Sequence, residues 1–88
     1  MYQLAVKESL NKKLKKLLKK DRELLTSIDR KVKDILDDPY RFKPLKKPLQ
    51  NMRRVHVGGS FVLIYKINED KKIVTLFDFD HHDNIYKT

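Results

Sequence analysis

With 88 residues, no cysteine and no tryptophan, the chain has the length of one domain that buries only about 60 % of its unfolded surface, which leaves little room for a deep pocket. The 21 Lys plus Arg against 12 Asp plus Glu give a net charge of +9 at pH 7, a field that favours polyanions, nucleic acid first and an anionic membrane surface second. The missing cysteines exclude a disulfide framework and a thiolate metal site, and no apolar run approaches a membrane span or a secretory signal, so the expected setting is the cytoplasm.

The charge is unevenly placed. Residues 1–57 carry 17 basic and 7 acidic side chains, net +10, whereas residues 58–88 carry 4 and 5, net −1. A polyanion would therefore meet the first two-thirds of the chain.

In chain order, Tyr2 to Val6 is an apolar run too short for a helix and reads as a first strand. From Ser9, a candidate N-cap, Leu10, Leu14, Leu17 and Leu18 fall at i, i+4, i+7 and i+8. That spacing puts the leucines on one helical face, with lysines largely around the other. Asp21 reads as the cap of a second helix whose buried stripe is Leu24, Leu25, Ile28, Val32, Ile35 and Leu36. No Gly or Pro separates the two, so the joint is tight and a helical hairpin is expected. Asp37-Asp38-Pro39 ends it, because the residue before a proline is pushed out of the helical region.

Residues 39–49 hold all three prolines and four basic side chains, Arg41, Lys43, Lys46 and Lys47, and form a stiff cationic connection. Three strands follow, about Met52 to Val57, Ser60 to Asn68 and Lys72 to Phe79. Gly58-Gly59 supplies the positive φ angles of a hairpin turn, and Asn68-Glu69-Asp70-Lys71 supplies the second turn. Alternation puts Phe61, Leu63, Tyr65 and Ile67 on one side of the middle strand and Val62, Ile64 and Lys66 on the other. In the last strand it sets Ile73, Thr75, Phe77 and Phe79 against Val74, Leu76 and Asp78. The tail from Asp80 shows no periodicity. The whole reads as one α+β domain over residues 1–88: an N-terminal strand, a helical hairpin, then a three-stranded antiparallel meander with the helices packed on one face of the sheet. The other face is free for a site.

The stretch His56-Val57-Gly58-Gly59-Ser60-Phe61-Val62-Leu63-Ile64-Tyr65-Lys66, followed by His82 and Tyr86, resembles the RelE/ParE superfamily of small toxins, and within it the RelE-type branch that includes YafQ. The resemblance implies a ribosome-dependent endoribonuclease of a type II toxin–antitoxin system. Such an enzyme cuts messenger RNA by attack of the ribose 2′-hydroxyl on the adjacent phosphate, needs neither cofactor nor metal, and inhibits translation. Its implied partners are the ribosome, the message and a RelB-like antitoxin in a hetero-oligomer. The reaction needs a base for the 2′-hydroxyl, cations for the phosphorane oxygens and an acid for the departing 5′-oxygen.

On that resemblance His82 is the first choice for proton transfer, and His56 is an acid, a base or a phosphate contact. Tyr86 takes the terminal aromatic position, where it would stack on a nucleobase. Lys46, Lys47, Arg53 and Arg54 are expected at phosphates, with Arg54 beside the reacting group. Phe61 reads first as core and second as a base-stacking residue. His81 matches nothing in the pattern. Ser60 and Asp78 depart from it, standing where an acidic residue and an arginine are expected, and Val62 lies where the RelE type carries an arginine.

Three other readings share these residues. Asp78, Asp80, His81, His82 and Asp83 are dense in metal-ligating groups, but successive strand residues face opposite ways and the spacing matches no metal signature. A membrane-surface role for the first helix would remove its leucines from a core that needs them. Inhibition of a topoisomerase in the ParE manner, or a non-catalytic RNA-binding or repressor module, would use the same basic surface without cleavage.

Overall fold

The computed structural model describes residues 1–46 and 51–85, which include seven elements. They are β1 (Gln3–Val6), α1 (Glu8–Lys20), α2 (Arg22–Asp37), β2 (Met52–Val57), β3 (Phe61–Asn68), β4 (Ile73–His81) and a single helical turn α3 (His82–Ile85). The strands form one sheet in the order β1-β4-β3-β2. β1 runs parallel to β4, and β2, β3 and β4 make the expected antiparallel meander. The fold is α+β.

Local chemistry accounts for most boundaries. Asp21 caps α2, its Oδ1 accepting the Leu24 amide at 3.0 Å, so the two helices are joined by that one residue. α2 stops at Asp37, before Pro39. Ser9 is not the cap of α1: the helix starts at Glu8 after Lys7, which makes no side-chain cap bond. Gly58 and Gly59 hold φ of 61° and 81° in the β2–β3 turn, a region that costs an L side chain about 1–2 kcal/mol. A Cβ on Gly58 would sit 3.4 Å from Leu24 Cδ1, so the turn is also seated against the start of α2.

Leu10, Ile28, Val32 and Ile35 from the helices pack against Val55, Val57, Leu63, Tyr65, Val74, Leu76 and Phe79 from the sheet. Each such side chain contributes about 1.5–3 kcal/mol by leaving water. The pairing of β4 corrects the strict alternation expected there. Tyr65 pairs with Leu76 but Ile64 pairs with Asp78, so Phe77 is an extra, unpaired residue. A one-residue bulge reverses the parity beyond it. Val74, Leu76 and Phe79 therefore share the core face, and Asp78 and Asp80 share the opposite one.

β4 also runs two residues beyond the expected Phe79, through Asp80 and His81, which pair with Val62 and Phe61. Asp and His are poor strand formers, and the pattern of the segment hid its pairing. The tail then turns into α3, whose His82 amide donates to the Ser60 carbonyl at 2.8 Å. Among the described residues no helix is long and apolar enough to cross a membrane.

Candidate RNA-cleavage site

The face of the sheet away from the core helices carries two cross-strand rows. His56 of β2 pairs with Val62 of β3, which pairs with Asp80 of β4; one step along, Arg54 pairs with Ile64 and Ile64 with Asp78. Each row is basic on β2, aliphatic in the middle and acidic on β4. Directly paired residues in antiparallel strands point the same way, so the four ionisable side chains share one face. Val62 and Ile64 are buried between them.

α3 adds the second histidine. The Ser60–His82 backbone bond ties the start of the turn to the β2–β3 hairpin, and the imidazoles of His56 and His82 stack with centroids 5.9 Å apart and planes 21° from parallel. Both rings are open to solvent on one side, with His56 exposed and the His82 side chain 50 % exposed. Asp83 lies 3.7 Å from Nδ1 of both His81 and His82. His81 faces the other way, edge-on to Phe61 at 5.7 Å.

Arg54 stands between two concavities. A groove of about 690 Å³ is lined by Leu45, Met52, Ile64, Phe77 and Ile85, with Lys43, Lys46, Arg54 and Asp78 as its charged lining. A smaller recess of about 340 Å³ brings Lys31, Lys43 and Arg54 together with His56. Cations thus converge on the histidine face from α2, the connection and β2. The arrangement can hold a phosphate beside two imidazoles.

The connection is fixed in place by two side chains of the core face. Arg53 donates to the Phe42 carbonyl at 2.6 Å and the Tyr40 carbonyl at 3.3 Å, and its guanidinium lies 5.1 Å from the centre of the Tyr40 ring. The Tyr65 hydroxyl donates to the Pro39 carbonyl at 2.6 Å, and burial pushes this phenol up to about 12. Backbone bonds from the Leu45 amide to the Met52 carbonyl and from the Arg54 amide to the Lys43 carbonyl complete the join.

Of the expected site residues, the structure brings together His56, His82 and Arg54, with Lys46 on the groove. It takes Arg53 and Phe61 elsewhere. Arg53, expected at a phosphate, is on the opposite face of β2 and occupied by main-chain carbonyls. Phe61 stacks on Phe79 at 5.3 Å and 9° and packs against the core. Lys47 and Tyr86 lie outside the described residues. The acidic tail does not gather into one cluster: Asp78 and Asp80 face a lysine, whereas His81 and His82 lie beside Asp83. Among the described residues no group of three or more His, Asp or Glu is placed to hold a metal ion.

That lysine is Lys13 of α1, which the sequence offered no reason to single out from its neighbours. Its ammonium lies 3.1 Å from Asp78 Oδ1 and 3.6 Å from Asp80 Oδ2, and it donates to the Phe79 carbonyl at 3.3 Å. Partial burial alone would lower its pKa, but the bonds and charges of Asp78 and Asp80 outweigh that and raise it. Asp80 is held below the usual carboxylate range, first by the Asn84 amide and then by the His81 amide and Lys13, against a smaller cost of burial.

Known proteins share the sequence pattern and the fold of this chain. The model of the ParE toxin of type II toxin–antitoxin systems matches residues 4–86. A candidate toxin of Methanocaldococcus jannaschii, RelE4, is 45 % identical over 87 residues, covering 99 % of this chain and 93 % of its own. The RelBE2 toxin–antitoxin complex of Mycobacterium tuberculosis contains a chain of the same fold, with TM-score 0.76 and 23 % identity over 92 % of this chain and 91 % of that one. So does the DinJ–YafQ complex of E. coli, with TM-score 0.78 and 16 % identity over 99 % and 100 %. The chain belongs to the family of ParE toxins of type II toxin–antitoxin systems, within the RelE/ParE superfamily.

Proposed function

We propose that this toxin is a cytoplasmic, ribosome-dependent endoribonuclease that cuts messenger RNA. The observation that carries the reading is the stacked His56–His82 pair with Arg54 on the same face. One neutral imidazole takes the proton of a ribose 2′-hydroxyl. The freed oxygen attacks the adjacent phosphorus and the bond to the 5′-oxygen breaks, leaving a 2′,3′-cyclic phosphate. The other imidazole, protonated, supplies the proton to the departing 5′-oxygen. Arg54 stabilises the phosphorane oxygens. Lys46 and Lys47 hold flanking phosphates, and Tyr86 stacks on a nucleobase.

The basic helices and connection dock on ribosomal RNA. A cognate, RelB-like antitoxin that is acidic would cover the same surface, in keeping with relatives solved as toxin–antitoxin complexes. The test is a primer-extension map of messages incubated with translating ribosomes and purified protein, with a chelator in one arm and His82→Ala in another. Cuts within codons that require ribosomes, survive the chelator and fade in the variant are expected. No cuts under any condition would overturn the reading. The match to the ParE family favours one second reading, inhibition of a topoisomerase by protein contact; it predicts intact messages and DNA damage.

A further inference from the structure

Asp78 and Asp80 put two carboxylates on the face that must accept a phosphate, each at the end of a cross-strand row that starts with Arg54 or His56. Strands lie about 4.8 Å apart, so each acid is only about 10 Å from the cation in its row. Uncompensated, the pair would oppose an incoming polyanion and draw the charge of Arg54 toward itself. β1 stops pairing with β4 at Leu76, so the edge of β4 beyond that residue is open to α1. Lys13 reaches across that edge, bonding the Phe79 carbonyl and both carboxylates.

We infer that Lys13 is a positioning residue for the cleavage site: it sets the charge of the His56–His82 face by cancelling one of the two negative charges of Asp78 and Asp80, and so admits the RNA backbone. It also steadies the second histidine, because Asp80 in turn accepts from Asn84 Nδ2 at 3.1 Å within the helical turn that begins at His82. The RNA part of the inference rests on the proposed nuclease reading, whereas the charge-setting part stands without it.

The charged groups that act on the two imidazoles come from every neighbouring element. Arg54 shares β2 with His56, and Lys31 of α2 and Lys43 of the connection line the recess beside that ring. Asp83 lies beside the His82 ring, His81 precedes it at the end of β4, and Asp78 and Asp80 face Lys13. Lys46 lies farther along the groove. Changing Lys13 or Asp78 alters the sum while leaving all the others in place.

The experiment follows the imidazole resonances of His56 and His82 through a pH titration at low salt, together with binding of a single-stranded RNA, in the whole chain. Lys13→Met takes the group of Lys13, Asp78 and Asp80 from a net charge of −1 to −2 and should move both imidazole midpoints upward. RNA binding should weaken by roughly threefold. Lys13→Arg should match the unaltered protein. Lys13→Met combined with Asp78→Asn should return both readouts, since the amide oxygen of Asn keeps the bond to the Phe79 amide that Asp78 makes at 2.8 Å. Asp78→Asn alone should move the midpoints downward, which decides the matter even if Lys13→Met fails to fold. Unmoved midpoints in the folded variants would overturn the charge-setting role. Moved midpoints with RNA binding unchanged would overturn the admission of RNA through Lys13, and failure of the unaltered protein to bind RNA would count against the nuclease reading alone.

Discussion

His56 and His82 stack 5.9 Å apart because the β2–β3 turn is fastened to the end of β4 through the bond from the His82 amide to the Ser60 carbonyl. One imidazole belongs to a strand and the other to a helical turn, so each is fixed by a different part of the backbone. A pair held in this way can share two proton transfers without either ring moving far.

Replacing either histidine by alanine should therefore lower message cleavage by about 10²- to 10⁴-fold, the usual worth of a positioned general acid or base. His81→Ala should keep cleavage within a few-fold, because that ring meets Phe61 rather than His56. Single-turnover cleavage on programmed ribosomes, with circular dichroism to verify folding, measures all three. Equal losses in the three variants would break the distinction drawn between the two tail histidines.

Arg53 and Arg54 should behave as opposites despite their adjacency. Arg53→Ala removes the donor that satisfies the Phe42 and Tyr40 carbonyls and should cost about 1–3 kcal/mol of stability, with the salt dependence of RNA binding unchanged. Arg54→Ala should reduce the salt slope of RNA binding by about one. Urea unfolding and a salt titration separate the two. A smaller slope in the Arg53 variant would place RNA on the core side of β2.

The limits of β2, the cap at Asp21 and the turn at Gly58-Gly59 were legible because each is written in neighbouring residues. Alternation along β2 already forbids Arg53 and Arg54 from meeting one phosphate together, yet proximity in sequence invites grouping them. What was not legible depends on partners far along the chain. The bulge at Phe77 arises from how β4 must pair with β3, and it alone decides that Phe79 joins the core while Asp78 turns away. Lys13 is one of six lysines in its helix; only the place where β1 ends makes it the one that reaches Asp78.

Glu69 offers a test by acid. Lys72, Tyr2 and Tyr40 all donate to this carboxylate, the two phenols at 2.6 Å, and together they hold it near 2. The clamp joins the chain start and the connection to the β3–β4 turn. A folded pKa below the unfolded value means that the stabilisation is complete above about 4.5 and is lost as pH falls from there toward about 2. Glu69→Gln should lower stability at neutral pH and flatten its decline over that acid window, read as urea midpoints against pH. An equally steep decline in the variant would assign the acid sensitivity to other carboxylates, Asp80 first.

Tyr65 sets the alkaline side. Its phenol is buried, donates to the Pro39 carbonyl at 2.6 Å and is pushed up from 10.0 to about 12, chiefly by burial. Here the folded pKa exceeds the unfolded one, and the neutral phenol is the favoured form in the fold. The associated stability is therefore whole below about 10 and is lost as pH rises toward about 12. Tyr65→Phe should cost about 1–3 kcal/mol at neutral pH by leaving the buried Pro39 carbonyl without its donor, and should shallow the loss of stability between those two pH values. Tyr2 and Tyr40 are also raised, first by their bonds to Glu69, so the comparison is best made in the Glu69→Gln background, where their share is gone. An alkaline decline that stays as steep in Tyr65→Phe, Glu69→Gln as in Glu69→Gln alone would remove the buried phenol as its cause.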